Sequence, residues 1–165
     1  MIPEMVDFLT PEQRSRVMSR IRATNTTPER YLGALLKAAG LRFRTHDRSL
    51  PGCPDFVFPQ AKVAVLVNGD FWHGWRFPIW EHKLPEFWRL KIAANRKRDR
   101  LNLARLRRLG WRPLRIWEHQ VEADVAGCLR RVLRALGKSD VDWERIRRTL
   151  ERLPPLERRN RLPRP

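Results

Sequence analysis

Two apolar runs, Phe56-Val57-Phe58 and Val63-Ala64-Val65-Leu66-Val67, interrupt a polar chain and read as buried strands. The second is nearly all apolar and rich in β-branched residues, as suits a central strand covered on both faces, and Asn68-Gly69 ends it. Pro54 cannot donate to a sheet ladder and belongs at the start of the first strand, which leaves Asp55 at a sheet boundary. Helix signals punctuate the rest. Thr10-Pro11-Glu12-Gln13 offers an N-cap threonine, a proline at the first helical position and a glutamine at the third, predicting a helix over about 10–22. Thr27-Pro28-Glu29 repeats that signal, and Gly40 closes a second helix behind Leu35, Leu36 and Ala39. Strands are expected over about 41–45, 55–58 and 62–68, then an aromatic loop over 69–84. A long helix over 85–109 stops at Gly110, followed by a strand over 111–117 and helices over 121–136 and 141–150. This order indicates an α/β fold: a sandwich with a central mixed sheet and helices on both sides. One domain is expected over 1–137, with a C-terminal helix and a Pro- and Arg-rich tail over 138–165, its end disordered and suited to phosphate binding.

Charge narrows the class of partner. The 165 residues carry a formal net charge of +17 and a sequence pI near 11.5, a balance that accumulates on polyanions by counterion release. The charge is localised: between Lys83 and Trp117 the acidic residues are Glu86 and Asp99, against twelve Lys and Arg. A solvated helix face is the ordinary reading of a charge run, but one so one-sided gains little from internal ion pairs. Nucleic acid is favoured over a membrane surface, because no stretch keeps a clean apolar face beside its basic one. Two cysteines, Cys53 and Cys128, without a signal-peptide pattern, indicate a reducing cytosol and no disulfide framework.

Asp55 and His73 are brought to one end of the strand pair. A carboxylate at a sheet boundary stays wet enough for a hard cation such as Mg²⁺, which needs few protein oxygens, here Asp55 and the Val67 carbonyl. His73, past the strand end, suits general acid or base work at a phosphodiester. Alone, an aspartate after proline is more often a turn residue, and a histidine among aromatics is more often packed.

The segments Leu50-Pro51-Gly52-Cys53-Pro54-Asp55-Phe56, Gly69-Asp70-Phe71-Trp72-His73, Glu86-Phe87-Trp88, Lys91-Ile92, Asn95, Arg98-Asp99-Arg100 and Leu109-Gly110-Trp111-Arg112 through Trp117-Glu118 resemble the very-short-patch-repair (Vsr) endonucleases. These bacterial enzymes nick DNA beside a T:G mismatch and are divergent PD-(D/E)xK nucleases. The resemblance runs collinearly from about Arg14 to Glu118. It implies a restriction-endonuclease-like fold, with Asp55 as metal ligand, His73 as the acid–base histidine and Glu29 assisting through water. Glu29 makes equal sense as part of a capped first turn. Val67 replaces a threonine whose carbonyl faces the metal, and Asn68 replaces a second histidine, leaving a polar contact to water or phosphate. Phe71, Trp72 and Trp88 match a wedge that enters the base stack, although core packing is the default for each. Lys91 and Asn95, on one helix face, match residues that reach the mismatched pair, with Met18 and Ile21 entering the opposite groove.

Better-known members of that family hold a structural zinc at positions that here read Asp70 and His119, and the loop 74–84 has no cysteine. No structural zinc is expected, and an Asp70–His119 contact should tie the loop to the last strand. The implied enzyme is a monomeric, Mg²⁺-dependent nickase of mismatched duplex DNA in the bacterial cytoplasm, at the nucleoid, with a repair protein or methylase as partner. Another PD-(D/E)xK nuclease of restriction, defence or transposition type, or a non-catalytic DNA-binding module, remains as an alternative.

Overall fold

The computed structural model describes Thr10 and residues 24–155. Beyond Thr10, the helix expected over 10–22, with Met18 and Ile21, lies outside the described residues, as does the tail from 156. The elements are α1 (Thr27–Ala38), β1 (Arg44–Thr45), β2 (Phe56–Phe58), β3 (Val63–Asn68), α2 (Phe77–Trp80), α3 (Glu86–Arg108), β4 (Arg112–Trp117), α4 (Glu118–Ala135) and α5 (Trp143–Arg152).

The strands form one mixed sheet in the order β1-β2-β3-β4. β2 pairs antiparallel with both β1 and β3, while β4 lies parallel to β3 after the α3 crossover. This is the expected α/β sandwich. Its main core joins Leu32, Leu35 and Leu36 of α1 and Leu129, Val132 and Leu133 of α4 to Phe56, Val65 and Ile116 of the sheet. The side of β3 opposite Val63 and Val65 carries Ala64, which is fully buried, and Asn68. α5 lies against α1 with Ile146 buried, and the Tyr31 hydroxyl donates to the Pro154 carbonyl.

Several local expectations change, among them the strand expected over 41–45, which forms only at Arg44–Thr45. The stretch 69–84 is not loop throughout: Phe77 and Trp80, three apart, bury with Ile92 of α3 in a second small core and so nucleate α2, which runs into a 3-10 turn at Glu81–Lys83. α4 begins three residues early because Gln120 reaches back to accept from the Trp117 N–H at 3.2 Å. It also breaks at Asp124 (φ −156°), whose carboxylate accepts from the Gly127 N–H at 2.7 Å and so caps a second helical segment.

Candidate active site

Asp55 sits where β2 begins. Its N–H donates to the Val65 carbonyl at 2.9 Å, and its Oδ2 accepts from the Val67 N–H at 2.6 Å, which fixes the carboxylate against the end of β3. Val67 therefore meets Asp55 through its amide, a contact the sequence did not suggest. The β1–β2 register pairs Arg44 with Val57 and Thr45 with Phe56. One step further, the His46 N–H donates to the Asp55 carbonyl at 3.2 Å, setting His46 across from Asp55. The ring lies between two carboxylates, 3.6 Å from Asp55 Oδ1 and 3.7 Å from Glu29 Oε2.

Glu29, at the third position of α1, accepts from the Thr26 hydroxyl at 2.8 Å and the Asn25 N–H at 2.6 Å, so it caps its helix and borders this site at once. The N-cap is Thr26, one residue earlier than the sequence suggests. Donor atoms of Glu29, His46 and Asp55 all lie within 4.8 Å of one another. Ligand atoms around one divalent cation stand roughly 3–4.5 Å apart, so small side-chain adjustments close the set. Its chemistry also fits a cation. The His46 Nδ1 is buried without a hydrogen-bond partner, and burial, reinforced by Glu29, pushes the Asp55 carboxyl up to about 7 despite the Val67 N–H.

That shift has a measurable sign. In metal-free protein Asp55 keeps a proton up to about pH 7 that the unfolded chain releases near 3.8. The folded state then binds more protons than the unfolded one between these values, so stability falls as pH rises from about 4 to 7, by at most about 4 kcal/mol. Urea midpoints measured in chelator should show this slope in the wild type and a flatter one in Asp55→Asn.

A second cluster flanks the same strand end. His73 Nδ1 is 2.5 Å from Asp99 Oδ2. With its oxygen turned to Arg115, the buried Asn68 amide accepts from Nε at 3.0 Å and from a terminal nitrogen at 3.1 Å, and lies 3.3 Å from His73 Nδ1. Nδ1 therefore faces only acceptors and carries the proton, which leaves Nε2 to take or give one. The Arg115 guanidinium also sits 4.5 Å from the Trp117 ring centroid and 3.9 Å from Asp99. Asn68 is committed to Arg115 and His73, where the sequence suggested an ordering of water. His46, Asp99 and Arg115 were not singled out from the sequence.

The comparisons with known proteins show the family. A family model described as DNA mismatch endonuclease Vsr matches residues 6–78. The type II nicking enzyme V.XorIIP of Xanthomonas oryzae pv. oryzae is 42% identical over 134 residues, 79% of this chain and 96% of the relative. The DNA mismatch endonuclease Vsr of Escherichia coli K12 is 41% identical over 118 residues, 69% of this chain and 74% of the relative. Type II nicking enzyme V.NmeDIP of Neisseria meningitidis serogroup C is 39% identical over 137 residues, 79% of this chain and 90% of the relative. The chain belongs to the Vsr family. It is a DNA endonuclease of a divalent-metal class, which sets aside a purely DNA-binding role.

In this Vsr protein the aromatic residues form a stack between the 69–84 segment and α3. Phe71 and Trp72 pack edge to face at 4.9 Å and stay half-buried, and Trp88 lies 5.7 Å from Trp72 and 6.3 Å from Phe71. Trp88 is only 8% exposed, so here it is the platform under the other two and not a free wedge. Asn95 donates to the Trp72 carbonyl at 3.0 Å, tethering Trp72 to α3, while Lys91, one turn away on α3, is half-buried. Gly74 lets the segment press on α3: at φ 64° a side chain would be strained, and its Cβ would come within 2.9 Å of Ile92. Asp70 and His119 are brought together, Nδ1 to Oδ1 at 2.8 Å, with Trp75 packed on the His119 ring at 4.7 Å. Among the described residues no helix is long and apolar enough to cross a membrane.

Proposed function

We propose that this chain is a Mg²⁺-dependent nickase that cuts one strand of duplex DNA beside a T:G-type mismatch, as in very short patch repair. The observation that carries the reading is the pairing, at one strand end, of a fixed carboxylate, Asp55, with an oriented imidazole, His73 held by Asp99. The name of the Escherichia coli relative, a DNA mismatch endonuclease, supports the mismatch. Asp55 and the Val67 carbonyl would hold Mg²⁺, with Glu29 acting through water, and the ion would supply polarisation of the scissile phosphate and charge stabilisation at the leaving oxygen. The chain's own residues do the rest. His73 Nε2 exchanges the proton of the attacking water or leaving oxygen, and Asp99 holds the ring in the tautomer that permits it. Arg115, kept in place by Asn68, presents a cation beside that imidazole for the phosphate. The exposed basic residues of α3, Arg89, Lys97, Arg98 and Arg100 among them, neutralise the DNA backbone.

Phe71 and Trp72 enter the base stack from the Trp88 platform. Unstacking costs a few kcal/mol and least at a mismatched step, so a wedge selects mismatches. Lys91 and Asn95 face the mismatched pair, and Met18 and Ile21 the opposite groove. Asp70 and His119 stand in for a structural zinc. The enzyme works as a monomer at the bacterial nucleoid, with a methylase or repair protein as its partner.

The test is a nicking assay on T:G, other mismatches and homoduplex in Mg²⁺. Preference for T:G on one strand is expected, whereas equal cutting of homoduplex favours a restriction or defence nuclease, a reading that the type II names of the Xanthomonas and Neisseria relatives keep open. Trp72→Ala should lower the mismatch-to-homoduplex ratio with a small change in stability. Trp88→Ala should instead destabilise the fold by about 3–5 kcal/mol, read from denaturation midpoints.

A further inference from the structure

The proposed reaction leaves His46 without a task, although the fold goes out of its way to place it. Its backbone lies in the left-handed region at φ 49°, a conformation that costs a non-glycine residue on the order of 1 kcal/mol and persists only where the surroundings enforce it. Its Nδ1 is buried, makes no hydrogen bond and stands 3.6 Å from Asp55 Oδ1. That distance is too long for a hydrogen bond and short enough for both atoms to ligate one cation. Asp55 Oδ2 is held by the Val67 N–H, and both Glu29 oxygens already accept from Asn25 and Thr26. The pair facing one another across the gap is Asp55 Oδ1 and His46 Nδ1.

We infer that His46 Nδ1 is a direct ligand of the divalent cation at Asp55, making a mixed nitrogen–oxygen site whose intrinsic preference is for Mn²⁺ over Mg²⁺. The inference rests on the proposed metal chemistry at Asp55. Mg²⁺ is a hard ion that takes oxygen ligands and gains little from imidazole, while first-row divalent ions accept nitrogen readily. Abundant Mg²⁺ can still load such a site in the cell. The competing account makes His46 an imidazolium counter-charge between Glu29 and Asp55. A resident cation of that kind would repel the metal, so its removal would tighten metal binding; loss of a ligand would weaken it.

The test uses the full chain without DNA. Mn²⁺ binding is followed by loss of the free-ion EPR signal, Mg²⁺ by competition, and imidazole ligation by nitrogen modulation in pulsed EPR. His46→Asn is the informative variant, because asparagine tolerates a left-handed backbone, and a circular-dichroism melt checks its fold. Wild type should bind Mn²⁺ roughly tenfold or more tighter than Mg²⁺, with nitrogen modulation. His46→Asn should lose the modulation and roughly tenfold in Mn²⁺ affinity while Mg²⁺ affinity stays within about threefold. Asp55→Asn should abolish binding of both ions. Absent modulation in wild type, or Mn²⁺ binding equal or tighter in His46→Asn, overturns the inference while an Asp55-dependent metal centre stands. Mn²⁺ binding indifferent to Asp55→Asn overturns both.

Discussion

Asp55→Asn is expected to lower Mg²⁺-dependent cleavage by roughly 10³-fold or more, since the metal supplies several kcal/mol of transition-state charge stabilisation. DNA affinity should stay within a few-fold, because the cations of α3 carry it and none of them touches Asp55 in the contacts described above. Asparagine keeps an oxygen for the Val67 N–H, whereas Asp55→Ala would strand that donor at a part-buried strand end. The two substitutions together separate catalysis from folding. Both should fail to cut, and the asparagine variant should unfold no earlier than wild type in chelator near neutral pH, where the wild-type carboxyl is under pressure to stay protonated. Cleavage by Asp55→Asn at the wild-type rate would remove the aspartate from the metal site. Gel shifts and nicking rates on one labelled duplex measure both quantities.

The sheet was legible because its central strands are short, apolar and bounded by Pro54 and Asn68-Gly69, signals that local chemistry carries by itself. Asp55 was legible for the same reason, since the proline marks the boundary on which it sits. His46 was not, because its placement arises from antiparallel register: the sum of paired numbers in β1 and β2 sends residue 46 to residue 55, and that sum depends on the intervening turn. A hairpin reading of Leu50-Pro51-Gly52-Cys53 was the available signal. Asp99 was noted but given no role, because it stands within the basic run of α3 and only the crossover carries it to His73, 26 residues earlier. Arg115 was grouped with the DNA-facing cations, yet the strand alternation of β4 turns it inward to Asn68. Trp88 illustrates the converse. The third residue of α3 can be wedge or platform, and the choice is made by the loop that packs over it.

His73→Ala is expected to slow cleavage by roughly 10²- to 10⁴-fold, the range for a positioned acid or base. Its ring is only 29% exposed and bonds Asp99, so the substitution also removes packing and a partner of that carboxylate, and a thermal melt run beside the rate separates loss of fold from loss of catalysis. Asp99→Asn tests the geometry more finely. An amide at that position can turn its NH₂ toward Nδ1 and select the tautomer with the proton on Nε2, the wrong nitrogen for a base. The rate should therefore fall in the same direction while metal binding at Asp55 is unchanged, and the double variant should be no slower than His73→Ala alone, because Asp99 acts through the imidazole. Additive losses would mean that Asp99 serves the reaction by another route, such as holding Arg115, which it approaches at 3.9 Å. A wild-type rate in His73→Ala would reduce the histidine to a residue that closes the aromatic segment against α3. Single-turnover rates with saturating enzyme decide among these outcomes, since they exclude product release from the comparison.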